Sequence, residues 1–126
     1  MSCPLCHRIA EEDIIIKDRL AFAIADAFPL TPGHSLVVPR RHEPDFFALS
    51  TEERSAMLAL AVELRSVLSD QYGFQDLNLG LNNGPAAGQT VPHAHLHVIP
   101  RYEGDSPDPR GGVRWMFPDR AAYWKM

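Results

Sequence analysis

Three histidines that alternate with apolar residues constrain this chain more than any other feature of its sequence. His93, His95 and His97 are followed by Ala, Leu and Val. Residues two apart on a β-strand point to the same face. We therefore predict a strand over residues 93–99, ended by Pro100, with its apolar side on a core and its three imidazoles along a cleft.

The flanking sequence predicts more strands and one long helix. Ser50 and Glu53 form a capping box, and apolar residues then recur at helical spacing as far as Tyr72, where Gly73 is expected to end the helix. Apolar or alternating runs predict strands at residues 14–17, 21–25, 35–38 and 76–82. Strands on both sides of one helix are typical of an α+β meander with helices on one face.

Length and charge limit the class of protein. The 126 residues fit one domain, with a core at 1–102 and a tail at 103–126, rich in Pro, Gly and Asp, that we expect to be mostly irregular and packed on the domain. The net charge of −4 and the lack of a dense Lys/Arg cluster argue against nucleic-acid binding. Without an 18-residue apolar stretch or a signal-peptide core, we expect a cytoplasmic protein that does not enter membranes.

The alternating histidines allow two kinds of chemistry. Three imidazoles suit a catalytic zinc, although three in a row on a straight strand splay apart. A neutral imidazole is also a nucleophile toward phosphorus, and a neighbouring imidazole can stabilise the developing charge. The preceding loop favours a phosphate, because Gly84 and Gly88 allow close backbone approach and Gln89 and Thr90 offer donors.

The segment from Gly88 to Ile99 resembles the motif of the histidine triad (HIT) family, with its preceding Gly-Gln-Ser/Thr. Residues 22–26 and 32–39 are similar to two further strands of that family, and the resemblance covers roughly residues 3 to 101. It implies a HIT-like α+β fold, with an antiparallel meander sheet packed by one long helix and a short N-terminal helix. It also implies a homodimer that pairs the long helices and extends the sheets.

The resemblance implies a role for each residue of the motif. His95 would attack the α-phosphate of a purine nucleotide, and His97 would contact the phosphate oxygens. The backbone carbonyl of His93 would orient the ring of His95, and Gln89 and Thr90 would bind phosphate or the leaving group. Further substrate contacts are implied for Asp26, His34, Asn82 and Gly88.

The chemistry implied is hydrolysis or transfer of a nucleoside monophosphate through a nucleotidyl-histidine, without a catalytic metal. The leaving group stays open between a phosphoramidate and a dinucleoside polyphosphate. His97 argues against the nucleotidylyltransferase branch, which usually has Gln there. Two alternatives are a nucleotide-binding scaffold with incidental catalysis and a metal-dependent hydrolase that uses the three histidines as ligands.

Cys3 and Cys6 have metal-site spacing but supply only two of the four ligands of a structural zinc site. They are either free thiols or half of a larger set. Bacterial HIT proteins, which this chain resembles, imply His42 and His93 as the other two ligands. Zinc would then attach the N-terminus to the catalytic strand and leave His95 and His97 free.

The tail contains Trp115 and Trp124. An indole ring can stack on a nucleobase, but such rings also anchor segments to a core. The sequence leaves both roles open.

Overall fold

The computed structural model describes residues 3–126, in which five strands form one open antiparallel sheet. The strands are β1 (Ile16–Lys17), β2 (Ala21–Ala25), β3 (Ser35–Pro39), β4 (Asp76–Leu81) and β5 (Leu96–Arg101). The helices are α1 (Pro4–Ala10), α2 (Thr51–Tyr72) and α3 (Pro118–Ala121). The predicted α+β class, the long helix and the short N-terminal helix are confirmed.

The strand order is β1-β2-β3-β5-β4, so only the first three strands form a simple meander. After β3, the long helix α2 leads the chain to the outer edge of the sheet, where β4 forms, and leaves the position next to β3 open. The chain then returns as β5 between β3 and β4. His97 consequently lies on a central strand, opposite Leu36 on one side and Gly80 on the other.

One face of the sheet packs against α2 and the other carries α1. Met57, Leu60 and Leu64 of α2 are fully buried against the first face, and each such side chain contributes roughly 1.5–3 kcal/mol through removal from water. Leu5 of α1 lies in a second cluster with Phe22 and other residues of β2 and β3. Both strands are thus covered on both faces, which explains their continuous apolar runs.

The histidine strand differs from its prediction at both ends. It begins at Leu96 because the amide of His93 donates to the carbonyl of Val91 (2.8 Å) and that of Ala94 to the carbonyl of Glu43 (2.7 Å), which diverts the backbone from the sheet. It continues through Pro100, opposite Leu77 of β4, because β3 no longer pairs there and no donor is needed on that side.

Two other predicted segments also differ in detail. The strand expected at residues 14–17 is reduced to β1. The tail at 103–126 contains α3 and 3₁₀ turns at Gly112–Met116 and Tyr123–Lys125 between irregular stretches. Within residues 3–126, none of the helices has the length and apolar character needed to cross a membrane.

The start of α2 is connected to the segment that carries His42. Ser50 Oγ accepts from the Glu53 amide (3.0 Å), and Glu53 Oε1 accepts from the Ser50 amide (2.9 Å), as the capping box predicts. Arg41 donates to both carboxylate oxygens of Glu53, at 3.0 and 3.1 Å. The Arg41 guanidinium and the Ser50 amide lower the pKa of Glu53 to about 2.

At the other end of α2, Gly73 adopts the left-handed conformation that ends the helix (φ 74°).

Replacing Glu53 by Gln keeps an oxygen for the Ser50 amide but removes the charge that faces Arg41. We expect the free energy of unfolding at pH 7 to fall by about 1–3 kcal/mol. Because folding lowers the pKa of Glu53, its stabilisation is complete above its ordinary pKa of 4.5 and is lost as the pH falls toward about 2. Urea unfolding at pH 7 and pH 3.5 measures both effects.

Glu52→Gln is the matched control, because Glu52 is exposed and lies 3.9 Å from the exposed Arg19. Its effect should stay within about 0.5 kcal/mol. Equal losses in the two variants, or a Glu53→Gln deficit that is no smaller at pH 3.5, would contradict the assignment.

Candidate functional site

The ring of His95 is fixed by the backbone two residues before it. His95 Nδ1–H donates to the carbonyl oxygen of His93 at 2.8 Å. A neutral imidazole carries one proton, so this hydrogen bond leaves the lone pair on Nε2. The side chain is otherwise nearly buried (7% exposed). His95 therefore presents a nitrogen with an available lone pair in a defined orientation.

His34 and His97 form a hydrogen-bonded chain beside it. The backbone amide of Leu30 donates to His34 Nδ1 (3.0 Å), which places the proton of His34 on Nε2. That Nε2 lies 3.0 Å from His97 Nδ1 and 3.2 Å from Asp26 Oδ2. His97 Nδ1 is thus an acceptor, and His97 carries its own proton on Nε2. The site consequently combines an acceptor on His95 with a donor on His97, on rings whose centroids are 5.1 Å apart.

Burial keeps this chain of rings neutral. It lowers the pKa of His34 and of His97 below the ordinary value, since a buried imidazolium is poorly solvated. The neighbouring rings of His95 and His34 lower the pKa of His97 further, whereas the Asp26 carboxylate opposes the fall for both. Only a neutral imidazole has two tautomers, so in this state the hydrogen bonds decide which nitrogen of His34 and of His97 carries the proton.

The ring of His93 points away from this pair, so the three histidines do not form one row, which corrects the prediction from their alternation. His93 is completely buried, and its Nδ1 faces Cys3 Sγ (3.6 Å), Cys6 Sγ (3.4 Å) and His42 Nδ1 (3.3 Å). Cys6 Sγ and His42 Nδ1 are 3.3 Å apart. These four side chains form a candidate metal site.

Hydrogen bonding favours metal binding at this cluster. His93 Nε2–H donates to the carbonyl of Pro39 (2.9 Å), so its Nδ1 lone pair faces the two sulfurs. The Cys6 amide donates to Cys3 Sγ (3.4 Å), which orients this sulfur within the cluster. Burial is the main reason why the pKa of the Cys6 thiol is raised, and the neighbouring Cys3 raises it further. A metal cation would therefore have to displace the proton of Cys6.

A second group of ligand-type side chains consists of Asp26, His34 and His97. Its geometry favours a hydrogen-bonded chain instead of a metal. The Leu30 amide donates to His34 Nδ1, and the proton that this leaves on Nε2 occupies the position from which a metal would be bound. The tautomers of His34 and His93 therefore distinguish two clusters that look alike in composition.

The loop before the histidines is stabilised by Gln89. Its Oε1 accepts from the Gly84 amide (2.8 Å), and its Nε2 donates to the carbonyls of Pro44 (2.9 Å) and Val91 (3.1 Å). The side chain of Gln89 thus connects the loop to the segment before α2. Thr90 is exposed next to it.

The predicted substrate residues fall into two sets. Asp26 and His34 lie with His95 and His97, and Asp26 Oδ1 also accepts from the Phe28 amide (2.8 Å). Gly88, Thr90 and Asn82 lie on or beside the loop at partly or fully exposed positions. Sequence reasoning missed the Leu30 amide, which determines the tautomers of two histidines; a backbone donor leaves no signal in residue types.

Comparison with known proteins identifies the family to which this sheet and its histidines belong. A family model described as HIT domain matches residues 8–104, more than half of the chain. The chain therefore belongs to the HIT-domain family.

Similar proteins come from distant organisms. The chain is 37% identical to "Bifunctional bis(5'-adenosyl)-triphosphatase/adenylylsulfatase" of Arabidopsis thaliana, over 79% of this chain and 55% of that protein. It is also 37% identical to an uncharacterised HIT-like protein of Methanocaldococcus jannaschii, over 82% and 81%. The crystal structure of a Zn-bound histidine triad family protein from Mycobacterium smegmatis matches with a TM-score of 0.76 and 33% identity, over 86% and 85%. The chain spans between 55% and 59% of the first curated relatives.

The hydrogen bonds predict a distinct tautomer for each ring. We expect His34, His93 and His97 to carry the proton on Nε2 and His95 to carry it on Nδ1. Long-range ¹H–¹⁵N correlation spectra at pH 7.5 distinguish the two nitrogens of each imidazole. A proton on Nδ1 of His97 would contradict the proposed chain from the Leu30 amide.

Proposed function

We propose that this protein is a nucleotide hydrolase or transferase in which His95 becomes nucleotidylated. His95 Nε2 attacks the α-phosphorus of a nucleotide, and the bond from phosphorus to the leaving group breaks. Water then attacks the same phosphorus and releases the nucleoside monophosphate. The observation that carries the proposal is the hydrogen bond from His95 Nδ1 to the His93 carbonyl, which leaves Nε2 free.

The neighbouring groups support both steps. As His95 acquires positive charge during attack, the His93 carbonyl accepts a stronger hydrogen bond from its Nδ1–H. His97 Nε2–H is available to a non-bridging phosphate oxygen, where negative charge develops. Burial lowers the pKa of His97 and keeps the ring neutral. His97 Nδ1 accepts from His34 Nε2–H, so the single proton of the His97 ring stays on Nε2.

The remaining predicted contacts belong to this proposal. We assign Asp26 and Asn82 to contacts with the nucleoside. The exposed loop with Gly88 and Thr90 would contact the phosphate or the leaving group. Gln89 contributes mainly by fixing that loop, since its amide already bonds three backbone groups. The Arabidopsis relative is named as a bis(5'-adenosyl)-triphosphatase and adenylylsulfatase, which supports an adenine nucleotide as substrate.

Removal of the nucleophile tests the mechanism. His95→Ala should lower kcat/KM for adenosine phosphoramidate and diadenosine triphosphate by about 10⁴-fold or more. Intact mass after brief exposure to substrate should show a nucleotidyl adduct on the unmodified protein and none on the variant. His7→Ala is the control, because His7 is an exposed histidine on α1. Undiminished turnover by His95→Ala would disprove the mechanism.

We further propose that Cys3, Cys6, His42 and His93 bind one structural zinc ion. Zinc is bound at about 2.3 Å from sulfur and about 2.0–2.1 Å from nitrogen, which in a tetrahedron separates ligand atoms by roughly 3.3–3.8 Å. Four of the six separations between these ligand atoms are 3.3 to 3.6 Å and fall within that range, and all six are at most 4.8 Å. The M. smegmatis structure, described as Zn-bound, supports the choice of metal.

Zinc content tests this site independently of catalysis. Native mass spectrometry should find one zinc per chain, and Cys6→Ser should lose the metal and unfold at a lower temperature. Asp26→Asn is the matched control, because it alters the other ligand-type cluster and should keep its zinc. Loss of zinc from Asp26→Asn but not from Cys6→Ser would place the metal at the Asp26, His34 and His97 cluster and would contradict this proposal.

We also propose a two-fold homodimer that pairs α2 helices and extends the sheet through β4. β4 is an edge strand, and α2 exposes Leu58 (47%) and Val62 (73%) four residues apart. Exposed apolar side chains on a helix and an unpaired strand edge are both typical of interfaces. The same native mass measurement should give the mass of two chains.

A further inference from the structure

A groove lies along β5 beyond His97, on the same face of the strand. His97, Ile99 and Arg101 alternate with buried residues, so all three lie on the face that carries the site. The first part of the groove encloses about 270 Å³ between Ile99 and the loop residues Leu30 and Thr31. Leu30 is the residue whose amide donates to His34, so one residue connects this part of the groove to the histidine site.

The second part of the groove lies between β5 and the tail and encloses about 560 Å³, a volume typical of small-molecule sites. Its walls are mainly apolar, with Val113, Trp115 and two prolines facing Ile99. Trp115 is 40% exposed, and its Nε1–H donates to the Arg110 carbonyl (2.8 Å), which holds the ring in place. The two parts share Asn78, Ile99 and Arg101 and are therefore adjacent.

Charges beside this second part are already paired. Arg101 donates to both carboxylate oxygens of Asp105 at 2.8 Å and to Asn78 Oδ1 at 2.8 Å. The carboxylate of Asp105 raises the pKa of Arg101, and the guanidinium lowers that of Asp105. A phosphate would have to break this pairing, whereas an uncharged flat ring would not. The Nδ2 donor of Asn78 remains at the groove for a ring nitrogen or oxygen.

We propose that this groove binds the nucleobase of the leaving nucleotide, stacked on Trp115, so that dinucleoside polyphosphates are the preferred substrates. The proposal rests on the proposed function. Ile99 lies about 7 Å beyond His97 along the strand, a span that bridging phosphates fill. When His95 Nε2 bonds to the α-phosphorus, the bridging oxygen leaves with the electron pair of the broken P–O bond as part of the second nucleotide. The tail that carries Trp115 lies mostly outside residues 8–104, the part of the chain that the family model matches.

The test compares two substrates that place the same nucleotide on His95. Diadenosine triphosphate has an adenosine diphosphate leaving group, and adenosine phosphoramidate has ammonia. For Trp115→Ala, the ratio of kcat/KM for the first substrate to that for the second should fall about 5- to 100-fold, the loss expected from one base–aromatic stack. Trp115→Phe should recover part of that ratio.

Phe117→Ala is the matched control, since Phe117 is an exposed aromatic residue of the same tail that lies outside the groove. It should leave the ratio unchanged. An unchanged ratio in Trp115→Ala, with nucleotidyl adducts still formed from both substrates, overturns only the groove assignment. Absence of any adduct on the unmodified protein overturns the proposed function and the groove with it.

Discussion

The backbone and ring of His93 determine the arrangement on which the rest of the site depends. Its carbonyl orients His95, its Nε2–H is bonded to Pro39 at the end of β3, and its Nδ1 belongs to the cysteine cluster. All this is possible because the backbone leaves the sheet just before β5, where the His93 amide turns back to Val91. A regular strand would have pointed the ring into the same cleft as its neighbours.

Hydrogen-bond direction gives the two histidine clusters different chemistry. In one, a carbonyl accepts a hydrogen bond from Nε2–H of His93, which leaves the lone pair of Nδ1 facing the sulfurs. In the other, a backbone amide occupies the lone pair of Nδ1 and leaves a proton between His34 and His97. Residue composition alone does not separate a metal site from a hydrogen-bonded chain. The position of a single proton on each ring does.

Much of the fold could be predicted because local patterns specify it. The capping box, the helical stripe of α2 and its terminal Gly73 describe interactions between near neighbours, and the structure confirms them. The departure of His93 from the strand could not be predicted, because it depends on the Glu43 carbonyl, fifty residues earlier. The tail groove was also out of reach, since Ile99 and Trp115 become neighbours only through the path of the irregular tail.

The central position of β5 has a consequence for motion. Leu96, His97 and Val98 have hydrogen-bonded neighbours on both sides, and Leu96 and Val98 lie in the larger core. Segments of this kind open only when most of the molecule opens, whereas edges and termini open locally at small cost in free energy. His95, the proposed nucleophile, is therefore attached to a part of the molecule that opens only with the whole fold. A bound substrate would have to adapt to this rigid segment.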